Sequence, residues 1–295
     1  METQTISVKK FLLNYFKTLS AITLLFTLIA FSVNYLAPNY YQNFVESKGF
    51  NELFIFIAVG FFAQMVDGSL GMAYGITCTS SLMTAGVPPA VASASVHVAE
   101  VFTTASSGFF HWKLGNVDRT LFKRLALPGA AGAFTGAYFL SSFDGSVIKP
   151  YISGYLIIMG IVVIVKAFKT VVIKQPKKVG FLALFGGFVD ASGGGGWGPI
   201  VTTTLLARGN NPTKTIGTVN ASEFVVAFTA SGIFSIFVGI QSIEIILGLI
   251  VGGLLASPFG ALIASRINRK WSMVVVGLLI IFLSVRTILK SFGMI

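Results

Sequence analysis

Apolar residues run in long, uncharged stretches along most of this chain. Residues 18–37 (TLSAITLLFTLIAFSVNYLA) are 20 such positions, about enough to cross a ~30 Å hydrocarbon core as a helix. Lys9, Lys10 and Lys17 precede them and no A-x-A-like cleavage site follows, so the stretch reads as a retained helix rather than a signal peptide. Further runs cover 90–110, 119–141, 147–165, 213–238, 242–264 and 271–289, making seven candidate spans. Two other apolar stretches, 53–85 and 179–207, are broken by glycine, at Asp67-Gly-Ser-Leu-Gly-Met-Ala-Tyr-Gly75 and Asp190-Ala-Ser-Gly-Gly-Gly-Gly-Trp-Gly198. Glycine tolerates non-helical backbone, so each stretch predicts two short helices meeting at a bend.

Composition agrees with a membrane protein. Of 295 residues, 54% are hydrophobic and 11% charged, and the mean hydropathy is +0.84. A soluble domain carries roughly a quarter charged residues, so a soluble enzyme and a disordered protein are excluded. Cys78 is the one cysteine, which excludes a disulfide scaffold. The net charge of +11 comes from 21 Lys+Arg against 10 Asp+Glu, and its placement speaks for orientation rather than nucleic acid. With the N-terminus inside and both broken stretches re-entrant, 17 basic residues fall inside and four (Lys48, Lys149, Arg286 and Lys290) outside. This is the bias expected of cytoplasmic loops. Single crossings at both broken stretches would put the lysine-rich loop at 166–178 outside. The expected location is the cell membrane, multi-pass, with the N-terminus cytoplasmic and the C-terminus outside.

The two broken stretches are related. At a constant offset of 123, Asp67 falls on Asp190, Ser69 on Ser192, Gly71 on Gly194, Gly75 on Gly198, Thr79 on Thr202, Pro89 on Pro212 and Glu100 on Glu223. In all, 10 of the 34 positions from 67 to 100 are identical without a gap. Each unit is a broken hairpin followed by three spanning helices, and three is odd, so the second unit is inverted. The predicted fold class is an all-α polytopic membrane protein built from an inverted repeat, with one extra N-terminal helix. Its parts are 1–50, a first repeat at 51–168, a basic linker at 169–178 and a second repeat at 179–295. Inverted repeats with discontinuous helices are a recurring plan of secondary transporters.

The bends carry the candidate chemistry. The second arm of each hairpin starts near Met72 and near Trp197, and facing helix N-termini suit an anion without any Lys or Arg. The substrate-binding candidates are Ser69, Gly71, Tyr74 and Thr79 in the first half, and Ser192, Gly193, Gly194, Gly195, Gly196, Trp197 and Thr202 in the second. Four acids lie at membrane depth, Asp67, Glu100, Asp190 and Glu223, where charge usually marks an ion or proton path. Ser93, His97 and Glu100 share a helix face. Glu100 and Glu223 are candidate proton carriers, as a desolvated carboxyl favours its neutral form. His97 belongs to the same coupling set, and Asp67 and Asp190 also suit holding the bends. A metal site needs several ligands at suitable spacing, and His97, His111 and Cys78 do not supply them. His111 reads as interfacial, and Trp112 and Trp271 as belt residues at span ends. No H-E-x-x-H or G-x-S-x-G occurs, which argues against an enzyme.

Over roughly residues 53–290 the chain resembles the sulfite exporter TauE/SafE family of membrane permeases. The resemblance is carried by Gly193-Gly-Gly-Gly196, by the Gly-x-x-Pro turns Gly86–Pro89 and Gly209–Pro212, and by Gly115-Asn-Val-Asp118. The first bend departs from the family's glycine triplet. The resemblance implies export or exchange of small sulfur-containing anions such as sulfite or sulfonates, with no cofactor. Expected partners are the anion, a coupling proton or Na⁺, the lipid bilayer and, left open, a second copy of the chain. A cation or metal-ion transporter using the acids, and an uncoupled anion channel, are the alternatives.

Overall fold

In the computed structural model, residues 49–168, 178–208, 211–239, 243–263 and 269–294 are described. The predicted helix at 18–37 and nearly all of the basic linker lie outside the described residues. The chain divides into two units, Met1–Phe54 and Ile55–Ile295, and both broken stretches have their bends in the second.

The first half contains α1 (Gly49–Leu70), α2 (Tyr74–Thr84), α3 (Pro89–Lys113), α4 (Arg119–Ser141) and α5 (Gly145–Ala167). The second contains α6 (Val179–Gly193), a π-helical turn at Gly198–Thr202 running into α7 (Thr203–Ala207), α8 (Pro212–Phe237), α9 (Ile243–Ile263) and α10 (Arg269–Ser291). Both halves therefore have the same order, a broken pair and then three long helices. The breaks come where the glycines predict them. Gly71 (φ +68°) and Gly194 (φ +71°) occupy matched positions in the left-handed region that side chains disfavour. Pro89 and Pro212 open α3 and α8, where a missing N–H costs no helical bond. Asp118 caps α4 by accepting from Thr120 N and Leu121 N at 2.8 and 3.0 Å.

Among the described residues, five helical segments are long and apolar enough to cross a membrane: Leu53–Leu70, Val147–Ala167, Pro212–Phe237, Ile243–Leu262 and Met273–Ser291. The first of these differs from the expectation. α1 has 22 residues, not the short half-helix read from the sequence, whereas its counterpart α6 has 15. α3 and α4, at 25 and 23 residues, have the length but are less apolar. α3 turns Ser93, His97, Glu100, Thr103, Thr104 and Ser107 into the protein, all of them buried.

Glycines bring the helices into backbone contact. A Cβ at Gly132 would fall on the Leu184 carbonyl, and one at Gly136 on that of Phe188. Both contacts advance in the same direction, so α4 and α6 run parallel. The matching pair of helices repeats this. A Cβ at Gly252 would fall on the Ile57 carbonyl and one at Gly260 would lie 2.9 Å from Gly68 Cα, so α9 and α1 also run parallel. α3 and α8 run antiparallel: His97 meets Phe234 with ring centroids 5.6 Å apart, and Ser107 donates to Asn220 Oδ1 at 2.8 Å. Small residues at such crossings are how helices associate where water exerts no hydrophobic drive.

Candidate functional site

The two bends lie against each other. A Cβ on Gly75, at the start of α2, would stand 2.9 Å from Gly195 Cα and 3.1 Å from Glu100 Oε1. One on Gly198 would overlap Met72 Cα and stand 2.8 Å from the Gly71 oxygen. Each second arm therefore starts on the opposite bend. Thr202 Oγ1 donates to the Gly71 carbonyl across the contact, and Thr79 packs on Gly194.

Asp190, in the last turn of α6, organises the second bend. Its Oδ1 accepts the N–H groups of Gly196 at 2.8 Å and Trp197 at 2.9 Å, amides that the break would otherwise leave unpaired. Its Oδ2 lies 3.3 Å from Nε2 of His97. On α3, His97 Nδ1 lies 2.8 Å from the Ser93 carbonyl. A carbonyl only accepts, so Nδ1 carries the hydrogen. Nε2 also faces Glu100 Oε2 at 3.9 Å, and Ser93 Oγ donates to the Ala191 carbonyl at 3.2 Å. The shared face of Ser93, His97 and Glu100 is thus turned to the second bend.

The matched positions of the other half are built differently. Asp67 holds Asp190's place and faces the backbone N–H of Tyr74, the position matched to Trp197, but without the close pair of hydrogen bonds that Asp190 makes. Asn220 stands where His97 stands, with Nδ2 3.4 Å from the Asp67 carbonyl oxygen. Glu223 matches Glu100, and its Oε2 has no partner. All four acids are buried, at 0% (Asp67), 1% (Glu100), 2% (Asp190) and 3% (Glu223) exposure. Among the described residues no lysine or arginine is buried. Positive charge near this depth comes from His97, from backbone N–H groups, from the half-buried Lys166 beside the second bend, or from a bound cation.

The bend contact gathers Gly71, Tyr74, Thr79, Gly194, Gly195, Gly196, Trp197 and Thr202. Several of their polar groups already have partners within the protein. Tyr74 donates to the Leu249 carbonyl at 3.3 Å, and Trp197 Nε1 to that of Val219 at 3.4 Å. Thr79 Oγ1, Thr77 Oγ1 and Ser80 Oγ are buried without a hydrogen-bond partner. Ser69 and Ser192 are not brought to the contact by their hydroxyls, which bond their own helices at Val66 O (3.0 Å) and Phe188 O (2.7 Å). Ser192 and Gly193 instead line an outer groove with Tyr155. With the bends touching, a ligand between them requires them to part.

His111, at the span end where the sequence places it, is buried within the protein. It sits in the last turn of α3 with Nε2 3.1 Å from the Gly68 carbonyl oxygen, because the first bend reaches down to that end of α3. Trp112 and Trp271 are exposed. Two further contributors carry no mark in the sequence. Tyr155 donates to the Gly195 carbonyl at 2.6 Å, and Lys166 Nζ reaches the Pro199 carbonyl at 3.2 Å. Tyr155 sits in an apolar run where nothing in the pattern singles it out, and Lys166 reads from the sequence only as the start of the lysine-rich loop.

Long apolar helices packed through glycine around a buried polar centre define a multi-pass α-helical membrane protein. Residues 56–287 match the family described as "Sulfite exporter TauE/SafE". A protein of Bacillus subtilis (strain 168) named "Probable membrane transporter protein YtnM" is 42% identical over 252 residues, covering 81% of this chain and 84% of that protein. The chain belongs to the sulfite exporter TauE/SafE family. No solved structure matches it.

Proposed function

We propose that this chain is a secondary transporter of a small anion, a sulfur oxyanion or organosulfonate such as sulfite, coupled to protons. The observation that carries the reading is the direct contact of two glycine bends at a buried polar centre, in a member of a family described as sulfite exporters. In this reading Gly71, Thr79, Gly194–Gly196 and Thr202 face the anion when the bends separate, and Glu223 carries the coupling proton. Alternating access follows from moving one hairpin against the other.

Interlocking contacts support re-entrant hairpins in an inverted repeat. Lys214 Nζ donates to the Gly115 carbonyl at 2.6 Å and Asp118 N to Thr218 Oγ1 at 2.8 Å, so the turn after α3 and the start of α8 share one side. In this reading α4 and α5 both cross between them, and 179–207 returns to the side it entered from. α6 runs parallel to α4, and α1 parallel to α9. With α3 antiparallel to α8, α4 and α9 point oppositely, and so do the two first arms. The charge bias then puts 115–118 in the cytoplasm.

A second reading, cation transport, is favoured by one observation, the grouping of His97, Glu100 and Asp190. Proteoliposomes separate the two. Saturable sulfite or thiosulfate uptake that exchanges against unlabelled substrate and responds to a pH gradient supports the anion reading. Sulfite-independent movement of Na⁺ or a divalent metal overturns it.

A further inference from the structure

We propose that His97, Glu100 and Asp190 form a binding site for one divalent d-block metal ion of the Zn²⁺ class. One ligand atom from each of the three lies within 4.8 Å of the others, and all three side chains are buried. Zinc bonds of ~2.0–2.2 Å to imidazole nitrogen and carboxylate oxygen put neighbouring tetrahedral ligands about 3.3–3.5 Å apart. The 3.3 Å from His97 Nε2 to Asp190 Oδ2 already meets this spacing. The 3.9 Å to Glu100 Oε2 and the separation of up to 4.8 Å between the two carboxylate oxygens require Glu100, whose two oxygens have no hydrogen-bond partner, to move toward the other two ligands.

The lone pair of His97 is the second, independent reason. With Nδ1–H given to the Ser93 carbonyl at 2.8 Å, neutral imidazole turns the Nε2 lone pair toward two carboxylate oxygens. Three electron-rich atoms converging in a buried space need a positive centre among them, a metal ion or a proton. The supports around the ligands are those of a metal site. A backbone carbonyl orients the imidazole, and the Gly196 and Trp197 amides at 2.8 and 2.9 Å hold the other oxygen of Asp190, as outer partners do around zinc. One imidazole with two carboxylates suits a borderline d-block ion better than Ca²⁺ or Na⁺, which take oxygen ligands. The other half has Asn220 at the matched position, so the site is confined to one half. The metal is read by binding, so its test stands apart from that of anion transport.

The test uses the full chain purified in detergent from cells supplied with Zn²⁺. After dialysis, elemental analysis is expected to find about one zinc per chain, and chelation followed by Co²⁺ is expected to produce the intense visible bands of a tetrahedral cobalt site. His97→Asn, which copies the other half, and Glu100→Gln should each lose at least about nine-tenths of the bound metal, while Glu223→Gln and Asp67→Asn keep it. Size-exclusion profile and thermal midpoint show which variants are folded. A monodisperse wild-type chain that takes up neither metal, meaning that a proton fills the place, overturns the site. So does a folded His97→Asn chain that keeps its zinc.

Discussion

The carboxylate of Asp190 accepts the backbone N–H of Trp197 at 2.9 Å while its other oxygen faces His97 at 3.3 Å. One side chain thus ties the shape of the second bend to the charged cluster of α3. The two duties separate by substitution. Asp190→Ala removes both bend bonds and, at roughly 1.5–3 kcal/mol for each bond to a charged group, should lower stability by about 3 kcal/mol or more. Asp190→Asn keeps an acceptor oxygen and should lose less than half of that. Thermal unfolding in detergent measures both, and equal losses would show that the bonds to Gly196 and Trp197 are not what the carboxylate contributes.

Backbone contact between the bends gives a graded prediction for glycine. Gly195 has φ +134°, and a Cβ there would overlap Gly75 and Ile76, so Gly195→Ala should abolish transport and lower the unfolding midpoint. Gly232, within α8, has nothing within 4 Å of its Cβ position. Gly232→Ala should be neutral or stabilising by about 0.5–1 kcal/mol. Comparable behaviour of the two variants in transport and melting would mean that the bend contact does not matter to either.

Tyr155 supports the same bend from outside, through its 2.6 Å bond to the Gly195 carbonyl. Tyr155→Phe keeps the ring and leaves that carbonyl without its donor, at a cost of about 1–3 kcal/mol. The melting temperature and the transport rate should fall together. An unchanged midpoint would mean that the bond does not hold the bend.

Sidedness is open to direct labelling. Ala85, after α2, and Arg208, after α7, are exposed, and the native Cys78 is buried. With re-entrant hairpins, an impermeant thiol reagent added to intact cells should label Ala85→Cys but not Arg208→Cys, and inside-out vesicles should reverse the pattern. Labelling of both from one side would refute the inverted arrangement.

Coupling is expected to rest on Glu223, a buried acid with an unpartnered oxygen. Glu223→Gln cannot exchange a proton, so uptake driven by a pH gradient should fall to the level without a gradient while substrate exchange persists. Wild-type gradient-driven rates in this variant would take the proton off Glu223.

Much of the architecture is legible in the linear pattern. The glycine runs mark both bends, the Gly-x-x-Pro turns mark where α3 and α8 begin, and the offset of 123 pairs Asp67 with Asp190 and Glu100 with Glu223. The full length of α1 is not legible, because the helix begins in the polar residues before position 53 and continues through Asp67-Gly-Ser-Leu70, which the pattern reads as part of the bend. The burial of His111 is hidden because its partner Gly68 is 43 residues away.

The sequence by itself determined the membrane class, the repeat, the positions of the bends and the family, because these depend on periodicity, residue size and charge along the chain. Only the tertiary structure decided which polar groups meet. It placed Asp190 against the lone histidine that the sequence offered no ligand set, 93 residues away, and closed the two bends on each other at Gly75 and Gly195. Such meetings follow from helices packing within reach of one another, and spacing along the chain carries no record of them.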